Sequence, residues 1–356
     1  AQVQWHPPFL TAKVLLPDGR AFDCATARRE VYPRPGALPQ VEPADALSDL
    51  SRRDFTVNAM AIALHPREWG ELLDPHGGRE DLERGDLRIL HQRSFVEDPT
   101  RILRGVRLGA RLGLGWEPGT AQALQEALRS NAFDTLSGAR LREEWERLFR
   151  EPNPLRALEM AAEWGILQAL EPLWDWRPAT RRSLERVPGL LRRWEEWGSP
   201  RPLLPWLVWH LLLMGEMADE EARRHAARWD LPRRPHRVLA EGPRRVQELE
   251  ALLRSSARPS EVVFALEKVE PEWILAALAR LGLPSAEAQV ERFQREWRHV
   301  RPWVGGDDLL RLGLEPGPRF QEILREVRRA QLDGELPHRQ AALEYALRLG
   351  KEETPC

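Results

Sequence analysis

Ser94-Phe-Val-Glu-Asp-Pro-Thr-Arg-Ile-Leu-Arg-Gly-Val-Arg-Leu-Gly-Ala-Arg-Leu-Gly113 is the stretch at which the chain changes character. Asp98 before Pro99 is an ordinary N-cap and N1 pair, and the spacing predicts a helix from there to about Gly113. Ile102, Leu103, Val106 and Ala110 fall on one side, while Arg101, Arg104, Arg107 and Arg111 recur every three or four residues on the other. One face is core; the other is a cationic ridge suited to phosphates. After Pro99 helical periodicity runs almost uninterrupted, with breaks at 115–119, 151–154, 198–205, 231–235 and 281–284.

Upstream the pattern is different. Residues 11–16 and 21–26 are short β-prone runs joined by Pro17-Asp-Gly-Arg20, in which Asp-Gly supplies the positive φ of a tight hairpin. Prolines at 33, 35, 39 and 43, with Gly36, mark 31–43 as an irregular loop or arm. Asn58 to Leu64 is β-prone again. The fold class is therefore α+β followed by all-α.

The chain has 356 residues, of which 42% are hydrophobic and 30% charged, enough for two or three globular domains. Cys24 and Cys356 are the two thiols, so no disulfide framework is expected and a cytoplasmic setting fits. The most apolar stretch, Leu203 to Met217, is broken by Pro205 and His210 and is shorter than the roughly 20 residues that cross a bilayer. No membrane partner is expected, and nothing at the start reads as a signal peptide. Of 53 basic residues only those at 13, 268 and 351 are lysines, so arginine alone signals little. A formal net charge of −2 excludes chain-wide attraction to nucleic acid, leaving a local patch to do any such binding.

Several constellations carry chemistry. Asp23 sits mid-strand on the face opposite Phe22 and Cys24, as an exposed edge residue or a functional acid. Asp49-Leu-Ser-Arg-Arg-Asp-Phe-Thr-Val-Asn58 places Asp54 and Asn58 one helical turn apart, where both could face one ligand; the plainer reading is helix capping beside solvated arginines. Asp74-Pro-His-Gly-Gly78 is turn chemistry. Gly305-Gly-Asp-Asp-Leu309 superficially resembles a phosphate loop, but a turn whose aspartate caps the next helix explains it more simply.

Taken in order, Asp23-Cys-Ala-Thr-Ala-Arg28, Tyr32, Pro35-Gly-Ala-Leu-Pro39, Arg52-Arg-Asp-Phe-Thr-Val-Asn-Ala59, Asp74-Pro-His-Gly-Gly78, Leu87-Arg-Ile-Leu90 and Ser94 to Arg104 resemble the head of class II tRNA nucleotidyltransferases and bacterial poly(A) polymerases. The resemblance continues through Leu136-Ser-Gly-Ala-Arg140, Glu143 and Glu144, returns at Gly306-Asp-Asp-Leu309, Leu312 to Pro318 and Leu332-Asp-Gly334, and is weakest from about 170 to 300. It implies the remainder of a nucleotidyltransferase head with a small mixed sheet over 1–98, a helical neck over 99–155, a body over 156–285 and a tRNA-binding tail over 286–356.

The activity it implies is template-independent addition of CCA, or part of it, to the 3′ end of tRNA from CTP and ATP, with Mg²⁺. The partners are the acceptor and T arms of tRNA. Asp23 corresponds to a catalytic, metal-binding carboxylate. Nucleotide binding falls to Arg28, Arg52, Arg53, Asp54, Asn58, Asp98, Arg101 and Arg104, with Asp98 and Arg101 reading the base. A carboxylate accepts an exocyclic amino proton and a guanidinium donates to ring acceptors, so such a pair imitates a template base. Arg104, Arg107 and Arg111 are the RNA-binding candidates, and Glu97, Arg140, Glu143 and Glu144 the structural motif. The family's other two metal carboxylates come from a D-x-D segment upstream of Asp23, which this sequence does not contain. The expectation is an N-terminally truncated enzyme, inactive alone. The alternatives are a catalytically dead tRNA- and nucleotide-binding protein, a poly(A) polymerase, and a helical RNA-binding scaffold that binds no nucleotide.

Overall fold

The computed structural model describes residues 1–6 and 10–351, and Cys356 lies outside them. Two compact units emerge, residues 1–174 with 227–231 and residues 175–226 with those from 232 onward.

The first unit opens with the expected hairpin. Strands β2 (Thr11–Leu15) and β3 (Ala21–Ala25) pair antiparallel from Leu15 opposite Ala21, and Gly19 at φ 85° makes the turn. A strand not anticipated, β1 (Gln2–His6), adds to β2. The register lines up Val3, Val14 and Phe22 on one face and Gln4, Lys13 and Asp23 on the other.

Next, β4 (Arg28–Val31) pairs with β5 (Gln40–Pro43), which corrects the reading of 31–43 as wholly irregular. A two-stranded ribbon is all edge, where a missing proline N–H is tolerated; the irregular part shrinks to 32–39. The β-prone run at 58–64 forms only the two-residue strand β6 (Ala61–Ile62), paired with β7 (Leu72–Leu73). Helix α1 (Ala46–Ser51) is capped by Asp45, and a 3-10 turn covers Thr56–Asn58. At α2 (Gly78–Arg84) the Asp74 carboxylate accepts from the Gly78 and Arg79 amides at 2.7 and 2.9 Å, so the turn is also a cap.

Strand β8 (Asp86–Leu87) runs parallel to β9 (Gly115–Trp116) and brackets α3 (Ser94–Glu97) and α4 (Thr100–Leu112). Helices α5 (Pro118–Arg129), α6 (Gly138–Leu148), α7 (Pro154–Glu163) and α8 (Ile166–Leu170) follow. Helix α4 lies on an aromatic cluster of Phe55, Phe95 and Trp116, the last two edge-to-face at 5.9 Å. Gly105 makes that approach possible, since a Cβ there would stand 2.3 Å from the Trp116 ring. A second cluster stacks Trp145 on Trp174 at 4.8 Å, with Trp229 against both.

The second unit is helical: α9 (Pro178–Glu196), α10 (Pro205–Met214), α11 (Asp219–Arg228), α12 (Arg233–Ala240), α13 (Gly242–Arg254), α14 (Pro259–Leu266), α15 (Pro271–Leu281), α16 (Pro284–Arg295), α17 (Gly306–Arg311), α18 (Pro318–Leu332) and α19 (Arg339–Lys351). Prolines open many of these because an N–H at N1 has no intrahelical acceptor, so its absence costs no helical bond. Residues 206–214 of α10 and 271–279 of α15 are buried throughout, so the apolar run near 203–217 is core helix. No described helix is long and apolar enough to cross a membrane. At 305–308 the Asp308 carboxylate accepts from the Gly305 amide at 3.0 Å, the expected capped turn.

Candidate functional site

Alternation along β4 puts Arg28 and Glu30 on one face, and Arg52 follows α1 beside them. Arg52 donates to Glu30 at 2.6 Å and to Asp49 at 2.7 Å, Arg28 donates to Glu30 at 3.2 Å, and Arg53 donates to Asp49 at 2.9 Å. Burial alone would raise the Asp49 carboxyl, but hydrogen bonds from Arg52 and Arg53 hold it below the usual aspartate value. Two acids thus fix three guanidinium groups over one wall.

Asp54 is 5% exposed. It accepts from Asn58 Nδ2 at 3.1 Å and Arg104 Nε at 2.8 Å, so the expected proximity of Asp54 and Asn58 holds, and they share an acceptor and donor directly. Burial pushes the Asp54 carboxyl up, and the Arg104 charge, with hydrogen bonds from Asn58, Arg104 and the Phe55 amide, together outweighs it, leaving the group lowered and ionised.

Asp98 accepts from the Thr100 amide (3.1 Å), the Thr100 hydroxyl (2.6 Å) and Arg140 Nη2 (3.0 Å), all on Oδ1. Helix α4 begins at Thr100 with Pro99 at the cap position, one residue later than expected, yet Asp98 Oδ1 still takes the Thr100 amide as a cap would; its Oδ2 takes no hydrogen bond from a described residue. Arg140 also donates to the Gly36 carbonyl at 2.6 Å, and the Gly36 amide donates to the Glu97 carbonyl at 3.0 Å.

The ridge reading needs correction. Arg101 is buried: it donates to Ser94 Oγ (2.7 Å), to the Arg52 carbonyl (3.0 Å) and to Tyr32 Oη (3.3 Å), with its guanidinium 5.6 Å from the Tyr32 ring. Those bonds use three of its five N–H groups. Arg104 pairs with Asp54, Arg107 with Glu144 at 2.8 Å and Glu151 at 3.0 Å, and Arg111 lies 3.8 Å from Glu151. Acids distant in sequence neutralise much of the ridge. Ala110 is only half-buried. Glu144 is buried between Arg107 and Arg147, Glu143 pairs with Arg147 on the surface, and the Glu97 carboxylate faces His91 at 3.6 Å.

Together Arg28, Arg52, Arg53, Asp54, Asn58, Asp98, Arg101 and Arg104 line a cavity of 490 Å³ with Glu30, Tyr32 and Pro39. All eight expected nucleotide residues meet there. An adjoining cavity of 230 Å³ shares Asp54, Asn58 and Arg104 and adds Arg107, Arg111, Arg147 and Glu151. Glu30 and Arg147 were missed. The Arg28–Glu30 alternation could have flagged the first, whereas nothing local marks the second. Such a cavity offers guanidinium donors for phosphates and an open carboxylate oxygen for a ring amino group. Asp23 does not line it; that residue is exposed, across from Lys13, and no group of three or more metal-ligating side chains occurs among the described residues.

Residues 2–88 match the family described as poly A polymerase head domain, and 116–176 match the probable RNA and SrmB-binding site of polymerase A. The A-adding tRNA nucleotidyltransferase of Halalkalibacterium halodurans is 32% identical over 99% of this chain and 80% of its own length. That of Geobacter sulfurreducens is 32% identical over 98% of this chain, which spans 40% of its length. The CC-adding tRNA nucleotidyltransferase of Deinococcus radiodurans is 45% identical over 45% of the chain and 42% of its own. Among solved structures, a CCA-adding enzyme in an apo form superposes with a TM-score of 0.85 at 29% identity, over 98% of this chain and 81% of the other. The Thermotoga maritima CCA-adding enzyme complexed with tRNA gives 0.77 at 28% identity, over 98% and 80%.

Proposed function

Since the chain belongs to the class II tRNA nucleotidyltransferase family, we propose that it acts in template-independent addition of CCA, or part of it, to the 3′ end of tRNA from CTP and ATP. The observation that carries this reading is the 490 Å³ cavity, which gathers Asp54, Asp98, Arg101 and Arg104 from positions up to 50 residues apart. Arg28, Arg52 and Arg53 meet the triphosphate and ribose side of the nucleotide, and Asp98 Oδ2 and the remaining Arg101 donors meet the base edge. Arg140 positions Asp98. The acceptor and T arms of tRNA are held by shape and phosphate contacts, with Arg104, Arg107 and Arg111 nearest the cavity. The location is cytoplasmic.

Family members commonly use a divalent metal, and Mg²⁺ is proposed here with Asp23 as one of its carboxylates. The described residues do not fit a complete site, because Asp23 has no cluster of further ligands around it. Mg²⁺ binds through carboxylates together with substrate phosphates. The same observation favours a second reading, binding of tRNA and nucleotide without transfer.

Two assays separate these. Melting of the full chain with each of CTP, ATP, GTP and UTP should show selective stabilisation by CTP or ATP, and Asp98→Ala should abolish the selectivity. Labelled CTP and ATP are then offered with Mg²⁺ and tRNA ending before CCA or in CC. Extension supports transfer, binding without extension supports the second reading, and stabilisation by none of the nucleotides overturns both in favour of the scaffold.

A further inference from the structure

The second unit holds a cavity of 380 Å³ that shares no residue with the nucleotide site. It lies where the C-terminal ends of α10, α13 and α15 meet the N-terminal half of α9. Five arginines line it, at 177, 182, 186, 254 and 280, with the carboxylates of Asp175, Glu216 and Glu250.

Two arginines make the ion pairs to all three acids. Arg177 grips Asp175 with Nε and Nη2, each at 2.8 Å, and Arg280 reaches Glu250 at 2.6 Å and Glu216 at 3.3 Å. Arg182, Arg186 and Arg254 are left with no carboxylate at ion-pair distance among the described residues.

The C-terminal ends of helices attract cations, and that accounts for part of the cluster. Arg280 donates to the Gly215 carbonyl after α10 at 3.2 Å, and Arg186 donates Nη1 to the Ala279 carbonyl near the end of α15 at 2.8 Å. It does not account for Arg182 or Arg254, which are exposed and donate to no described group. Nor does it account for the free side of Arg186. That guanidinium is seated against Gly282, where a Cβ would stand 2.4 Å from Cζ, and Nη1 is anchored, so Nε and Nη2 are held ready for another acceptor.

We propose that this cavity is a phosphate-binding site in which Arg186 is the fixed donor and Arg182 and Arg254 close on the anion. Five arginines against three carboxylates leave two positive charges, the complement of a phosphate dianion. Guanidinium forks match phosphate oxygens in pairs, and a prefixed fork loses less freedom on binding. The shared chemistry is a phosphate group, and its two sources are a small free phosphate and the backbone of an RNA.

Calorimetric titration of the full chain with inorganic pyrophosphate, and in a second arm with a tRNA minihelix at constant ionic strength, tests the site. In the Arg182→Gln/Arg254→Gln variant, affinity should fall at least tenfold in one arm. Loss with pyrophosphate identifies the small anion, and loss with the minihelix alone identifies the RNA backbone. Arg192→Gln, exposed on the same helix and outside the cavity, should change neither. The replaced arginines hold no described group, so melting and CTP stabilisation should match the parent; a defect in the first unit is thereby told apart. Absence of saturable binding in both arms, unchanged affinity in the double variant, or an equal loss in Arg192→Gln overturns the proposal.

Discussion

Asp54 stands under opposed influences, burial that favours its neutral form, and the Arg104 charge with hydrogen bonds from Arg104, Asn58 and the Phe55 amide that favour the ion and together prevail. The Arg104 side chain is 46% exposed, so the pair is weaker than a fully buried one. Arg104→Ala should cost about 1–3 kcal/mol at pH 7, mostly from leaving the Asp54 charge unpaired. The sign with pH follows from the lowered folded value. The pair's contribution is complete above about pH 4, the ordinary aspartate value, and is lost as pH falls through the folded one. In the variant, burial acts on Asp54 without opposition from Arg104 and its carboxyl titrates higher. The gap between parent and variant should therefore close on acidification. Urea unfolding at pH 7, 5 and 3 measures it, and a gap that stays constant would mean that Arg104 acts through packing instead.

Helix α4 takes its place from a glycine that leaves room for rings. Gly105→Ala would bring a methyl to 2.3 Å from Trp116 and 2.7 Å from Phe55, so overpacking of about 1–3 kcal/mol should outweigh the usual helical gain. Gly189→Ala in α9 meets nothing within 4 Å and should stabilise by about 0.5–1 kcal/mol. Thermal melts of the two variants should move in opposite directions; a shared sign would refute the packing account. Elements such as α4 and the β2–β3 hairpin were legible because their signals are local: a Pro at the helix start, an Asp-Gly turn, a 3.6-residue period. Strand β5 was hidden by Pro39 before it and Pro43 at its end, and β1 by two glutamines and a histidine among its five residues. The charge state of the α4 ridge could not be read locally, because Glu144 and Glu151 come from 37 to 44 residues away.

At the scale of the whole molecule, a net charge of −2 means that the proposed binding of tRNA would rest on local arginine groups, and the affinity should fall steeply with salt. Each phosphate contact contributes about 0.7–0.9 to the log–log slope. Arg111→Gln should lower the slope by roughly one such contact with the fold intact, since its link to Glu151 is long, Arg111 is half-exposed and Glu151 keeps Arg107. Arg107→Gln should instead destabilise the first unit, because Glu151 and buried Glu144 lose their shared partner. Filter binding of a minihelix across a salt series, with urea melts of each variant, checks both; an unchanged slope for Arg111→Gln removes it from the RNA surface. The nucleotide cavity was legible through the family resemblance, which implies all eight residues, whereas the residues alone brought only Asp54 and Asn58 to one ligand. The 380 Å³ cavity was not, because its arginines are scattered over a hundred residues of helix.

The segment between β4 and β5 is pinned at its midpoint, with the Gly36 amide on Glu97 and its carbonyl on Arg140. In deuterated solvent such a loop should not exchange as one uniform segment. The Gly36 amide should exchange slowly while Arg34 and Leu38, exposed on either side, exchange fast, and Arg140→Ala should weaken that protection. The loop then behaves as two short flaps hinged on one post, so that displacement of 32–35 by an incoming ligand is not passed on to 37–39.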